Sequence, residues 1–290
     1  MLLQFNVSNF MSFKDEAVLN LTPGSLKGHK DYIIKSIKGD SLPTIAIFGA
    51  NASGKTNLFK ALTASILLVR NSSSFQVNSI IPLISPFLFD HDSVLKPSSF
   101  NYIFIFEGIK YEYGFSVTKK EVINEYLYSY TSQKPSLIFE RNKGSYKFVK
   151  PYKKELEKYA VLTNDNKLFL SNATYLNCSI TRPAYMWFAE NIDTYDSKNL
   201  DQTLMQSLDY NNDPEFPSFM QKLICEADIN ISGYTFESKE ISDETKSAIA
   251  KSMGIREEEV ANLKAGKVTT HHKIINNGKE ELFDLDLHNE

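Results

Sequence analysis

Cysteine is scarce in this chain, with only Cys178 and Cys225 among 290 residues. Two cysteines without metal-ligand spacing support neither a disulfide framework nor a metal knot; they fit a reducing compartment and read as small core residues. Long apolar runs are missing too. No stretch approaches the roughly 20 residues a membrane helix needs, and the start, MLLQFNVSNF, has neither the basic opening nor the apolar middle of a secretory signal. A cytoplasmic protein without a membrane partner is expected. Nor is there an excess of one charge. Lys and Arg total 32 against 35 Asp and Glu, a formal net charge of −3. That balance supplies no broad positive field for nonspecific nucleic-acid binding; a nucleic-acid partner would need a local basic patch. Internal repeats and heptad runs are absent, which excludes a solenoid or a long coiled-coil arm.

What is present is a globular composition, 42% hydrophobic and 23% charged, of a size for one large domain or two modest ones. Leu3, Phe5 and Val7 alternate with polar residues, and Ala17, Val18, Leu19 and Leu21 follow the break at NFMSFKDE, predicting two strands that end at TPG, 22 to 24. TIAIF, 44 to 48, is a short continuous apolar run of the kind buried on both faces of a sheet. It leads into FGANASGKTN and a helix predicted from Lys55 to Val69.

From 86 to 150 the aromatic segments PFLF, SFNYIFIFEGIKYEYGFSV, EVINEYLYSY, SLIFER and YKFVK predict an antiparallel meander with a turn at Glu107-Gly108. After Pro151 the pattern becomes helical through YKKELEKYA, RPAYMWFAENI, NLDQTLMQSL and SFMQKLICEA. INISGYTFE is predicted as a strand, SDETKSAIAKSMGIREEEVANLKAG as a charged helical segment, and KVTTHHKIINNGKEELFDLDL as a hairpin around Asn277-Gly278. The expected division is 1–150, a P-loop lobe with an antiparallel β-subdomain; 151–228, a helical insertion; and 229–290, a strand, a charged helical segment and a hairpin returning to the core sheet.

Gly49, Gly54, Lys55 and Thr56 complete the pattern G-x-x-x-x-G-K-[ST]. Glycines let the backbone wrap with its N–H groups inward at the positive end of the next helix, where phosphate charge is best stabilised. Gly49, Ala50, Asn51, Ala52, Ser53, Gly54, Lys55, Thr56 and Asn57 are the candidate ATP-binding residues. Lys55, the candidate catalytic group, would face the β- and γ-phosphates, and the Thr56 hydroxyl would ligate Mg²⁺.

Other candidates carry less. Asp90 in PFLFDHD could serve as the Mg²⁺ carboxylate of a small P-loop kinase or GTPase-like enzyme, but Pro86 and the aromatic strands favour a plain strand end. Glu107 reads as a turn residue. NISGY, 230 to 234, only faintly echoes an ABC signature and sits in an apolar strand. His271 and His272, adjacent on a strand, point to opposite faces and cannot share a metal by themselves. Trp187 reads as a helical core residue, and KKELEK and REEE as solvated faces.

FNVSNFMSFKD, FGANASGKTNLFKAL and the strand series PFLF, YEYGFSV, NEYL resemble bacterial AAA-family ATPases of the RecF/SMC/ABC-head type, nearest to RloA-like and abortive-infection ATPases of phage defence. The resemblance extends to LFLSNA, AYMWFAENI, ADINISGY and the final strand. It implies a mixed α/β fold: a P-loop NTPase, ABC-head-like lobe with an antiparallel β-subdomain and a helical insertion. It implies ATP and Mg²⁺ as ligands, NFMSF beside the nucleotide, and a homodimer or a complex with a chain carrying signature and Walker B segments, with an effector protein as a further partner. Many relatives have, where this chain has Met11, a basic residue that can reach a phosphate; Met11 is a departure, and no such contact is expected from it.

The resemblance also implies an E-S-x-G-T segment after a strand like LFDLDL, and a later strand ending in Asp-Glu. LFDLDLHNE is followed by neither. The expectation is a chain that binds ATP but by itself hydrolyses it poorly, since a cradle supplies no base for water. Two alternatives remain open: a self-contained kinase or GTPase-like enzyme using Asp90, and a nucleotide-gated binding module without turnover.

Overall fold

A computed structural model describes residues 1–25, 28, 30–132, 134–195, 215–227, 231–253, 260, 264–276 and 278–286. The chain divides into two compact units, Met1–Thr194 and Tyr195–Glu290.

The first unit is built on a seven-stranded sheet of β1 (Leu2–Ser8), β2 (Ala17–Asn20), β3 (Ser98–Phe106), β4 (Ile109–Val117), β5 (Val122–Tyr130), β6 (Ser136–Asn142) and β7 (Ser145–Phe148). Their spatial order is β2-β1-β3-β4-β5-β6-β7, with every pairing antiparallel. Alternation sends Leu3, Phe5, Val7, Phe100, Tyr102, Phe104, Tyr111, Tyr113 and Phe115 to one buried face. Gln4, Asn6, Ser99, Asn101, Glu112 and Tyr126 take the other, partly exposed face. The β3–β4 turn is Glu107-Gly108, both with positive φ, 48° and 75°, as a two-residue hairpin requires.

Helices cover the buried face. The face of α1 (Lys55–Asn71) bearing Ala61, Ala64, Ile66, Leu68 and Val69 packs inward, and its Ser65 Oγ lies 2.5 Å from the Tyr102 hydroxyl. From α5 (Arg182–Glu190), Trp187 stacks on Phe104 at 4.1 Å between ring centroids, and Phe188 meets Tyr102 edge-on at 5.0 Å. Arg70, near the end of α1, donates to the carbonyls of Phe188 (2.7 Å) and Ile192 (2.5 Å), locking the two helices together. Helix α3 (Lys153–Val161) follows β7, and α4 (Phe169–Tyr175) brings Phe169 onto Phe139.

The second unit holds a separate three-stranded antiparallel sheet, β10-β9-β8, from β8 (Ile231–Glu240), β9 (Lys264–Asn276) and β10 (Lys279–Asp286). Helices α6 (Phe216–Glu226) and α7 (Asp243–Met253) accompany it. The C-terminal hairpin, expected to return to the core sheet, pairs instead with β8. Gly278 has the positive φ of 77° expected of its turn, while Asn277 lies outside the described residues. So do the NLDQTLMQSL and REEE segments.

Two further expectations change. Cys178 is buried but Cys225 is exposed, its thiol donating to the Ser232 carbonyl at 3.2 Å. The apolar run 44–48 is not a strand. None of its backbone groups has a hydrogen-bond partner among the described residues, and Ile47 is 48% and Phe48 89% exposed. A run of this composition becomes a strand only when a neighbour pairs with it, and every described strand in this unit pairs elsewhere.

Candidate functional site

The glycine-bracketed loop leads straight into α1. Gly54 caps the helix in a left-handed conformation, φ 95°, that side chains rarely adopt, and Ala52 also has positive φ, 63°. Gly49 leaves room of another kind: a Cβ there would stand 2.7 Å from Ser53 Oγ and make that hydroxyl turn aside. Ser53 N–H closes the loop onto the Ala50 carbonyl at 3.2 Å.

No side chain caps the first turn of α1, and that turn holds no acidic residue. Its leading N–H groups therefore stay open at the positive end of the helix dipole, the arrangement that accepts an anion. Lys55 folds back over the loop, its Nζ donating to the carbonyls of Gly49 (2.7 Å) and Ala50 (2.8 Å). An ammonium held, among the described residues, by two neutral carbonyls can exchange them for phosphate oxygens, a charge-assisted and stronger pairing. Thr56 is exposed one residue on. Asn51 and Ala52 are exposed at the loop tip, and Asn57 is the third residue of α1, its Nδ2 donating to Ser12 Oγ at 2.9 Å. These residues fit a nucleoside triphosphate: backbone N–H groups and Lys55 would hold its phosphates, and Thr56 would help hold Mg²⁺, which supplies charge neutralisation when bound.

Residues 45–177 match the family model of an AAA domain, described as "putative AbiEii toxin, Type IV TA system". The match supports an AAA-type P-loop ATPase, a nucleotide-binding class; the matched segment begins within the unpaired run and takes in the whole cradle. The curated proteins gave no match.

Within the matched segment, Asp90 has another occupation. Its carboxylate accepts from Ser93 N–H (3.0 Å) and Ser93 Oγ (2.6 Å) as the N-cap of α2 (His91–Leu95), and Lys14 lies 3.3 Å away. These contacts, the Ser93 hydroxyl first, hold its carboxyl below the usual range. PFLF, expected as a strand, is irregular, because Pro86 donates nothing to a ladder and Asp90 starts a helix directly after it. Glu107 is a turn residue as expected. Of NISGY, Ile231 to Tyr234 lie inside β8.

In the second unit His271 and His272 take different partners. His271 Nδ1 lies 2.6 Å from Asp284 Oδ1, and His272 Nε2 lies 3.0 Å from Thr270 Oγ1. No cluster among the described residues could hold a metal ion through His, Cys, Asp and Glu, and no described helix is long and apolar enough to cross a membrane. Asn9 and Ser12 lie in the NFMSF region that the resemblance sets beside the nucleotide, but their individual contacts, Asn9 with residues 87 to 98 and Ser12 with Gly54 and Asn57, are long-range and have no local sequence signal.

Proposed function

We propose that this chain is the ATP-binding part of an ABC-head-like ATPase that couples nucleotide binding and hydrolysis to conformational change or assembly. The observation that carries the reading is the uncapped start of α1 under a left-handed Gly54, with Lys55 resting on exchangeable carbonyls. The family description of the matched segment favours a setting in toxin–antitoxin or abortive-infection defence, with an effector protein as partner.

The unpaired run 44–48 supports the second half of the reading. Its open backbone and exposed Ile47 and Phe48 suit a strand completed by segments from elsewhere in the assembly, in a homodimer or in a complex with a chain bearing signature and carboxylate-strand elements. Turnover then depends on those segments, since the cradle positions phosphate without activating water. A self-contained enzyme using Asp90 is disfavoured by the commitment of that carboxylate to Ser93 and Lys14.

Titration with a fluorescent ATP analogue in Mg²⁺ tests the core of the proposal. Saturable binding is expected, weakened at least about tenfold in Lys55→Ala, the scale of losing a charge-assisted contact to phosphate. Equal binding by wild type and variant, or none by wild type, refutes it. Turnover should appear only when a polypeptide carrying the completing segments is added.

A further inference from the structure

The cradle has a second wall, the turn from Asn9 to Phe13 that follows β1. Asn9 and Met11 take positive φ, 50° and 49°. The Asn9 side chain, buried at 7% exposure, spends both ends of its amide on one segment. Its Nδ2 donates to the carbonyls of Ser93 (2.8 Å), Lys96 (2.9 Å) and Pro97 (3.2 Å), while Oδ1 accepts from Phe87 N–H at 3.1 Å. Met11 N–H donates to the Ser85 carbonyl at 2.7 Å, and Ser98 Oγ donates to the Asn9 carbonyl at 2.6 Å. A turn held at this many points is a fixed wall.

The wall sets one hydroxyl against the loop. Met11 packs against the core, so it does not reach toward phosphate. Ser12 faces the other way: its Oγ lies 3.0 Å from where a Cβ of Gly54 would stand and accepts from Asn57 Nδ2 at 2.9 Å. Asn57 belongs to the first turn of α1, where side chains lean back toward the helix start. A serine hydroxyl has one proton to give and two sites to accept. The bond from Asn57 fills an acceptor site and fixes Oγ, and no acceptor among the described residues takes the proton.

We propose that Ser12 is a nucleotide-binding residue, donating its hydroxyl proton to a phosphate oxygen of a nucleoside triphosphate seated on Gly49 to Thr56, with Asn57 as the positioning residue that holds it. This rests on reading the loop as an ATP cradle. A neutral hydroxyl on a rigid turn replaces a flexible cation at this wall, so recognition here depends on geometry.

The test is equilibrium titration of the full chain with fluorescent ATP and Mg²⁺, for wild type, Lys55→Ala, Ser12→Ala, Ser12→Cys, Asn57→Ala and the Ser12→Ala/Asn57→Ala pair. Ser12→Ala should weaken binding on the order of tenfold, as expected for a hydrogen bond to a charged group. Ser12→Cys, of similar size but a weak donor, should lose as much, which a steric role would not produce. Asn57→Ala should lose less, and the pair no more than Ser12→Ala alone, because one residue acts through the other. Additive losses overturn the role of Asn57. Wild-type binding in both Ser12 variants, with binding lost in Lys55→Ala, overturns the inference and leaves the cradle standing. Equal binding in wild type and Lys55→Ala refutes the cradle, and the inference falls with it.

Discussion

Glu125 and Arg141 sit in the core of the first unit at 0% and 1% exposure, 3.8 Å apart. The Glu125 carboxylate accepts from Phe169 N–H (2.6 Å), Leu170 N–H (2.9 Å) and the Tyr113 hydroxyl (2.9 Å), tying the sheet to the start of α4. Arg141 donates to the carbonyls of Lys143 (2.8 Å) and Lys167 (2.6 Å). Removing one partner strands the other charge in the core, so Arg141→Met should lower stability by about 3–5 kcal/mol in urea unfolding. Adding Glu125→Gln should recover part of the loss. Burial pushes the Glu125 carboxyl above its usual range, against Arg141 and its other donors. The folded state then holds its proton more readily than the unfolded chain does. Its contribution is full below the ordinary carboxylate value and is lost as pH rises through the raised one. Glu125→Gln should remove that downward slope from the urea midpoint measured against pH. Nothing local announces this pair: NEYLYSY shows an acid at a strand position, but its partners lie across β6 and at Phe169, reached only through tertiary packing. Trp187 was legible because the helical pattern of RPAYMWFAENI alone turns it inward.

At the scale of elements, α2 depends on its cap. Asp90→Ala should loosen the helix and the support it gives, through the Ser93 carbonyl, to Asn9. The expected outcome is a lower thermal midpoint with the Mg²⁺ dependence of ATP binding unchanged, the reverse of what a metal ligand would give. The Asp90 carboxyl is held low, so its contribution is present above the ordinary carboxylate value and is lost as pH falls through the depressed one. Alternation made the meander readable, since Leu3, Phe5 and Val7 and the β3 and β4 aromatics repeat every second residue. The loop and α1 were readable from residue type. The failure at 44–48 has a plain cause: apolar composition reports a preference for being paired, whereas pairing depends on another strand. PFLF failed similarly, its proline and the following cap outweighing its aromatics.

On the scale of the molecule, the hydrophobic core cluster, from Phe5 to Phe188, lies wholly within Met1–Thr194. A unit with its own core is expected to fold by itself. A fragment of residues 1–194 should unfold in one cooperative transition and bind fluorescent ATP as the full chain does; loss of cooperativity by circular dichroism during urea unfolding would refute this. The run 44–48 has one more consequence. It carries no charge and no internal proline, and its backbone groups are open, a combination through which two copies of a chain adhere. Aggregation competes with folding for such a segment from the moment of synthesis. The residues that lead into the cradle are thus also a liability for solubility, and a strand that paired with them would guard against precipitation as well as complete the sheet.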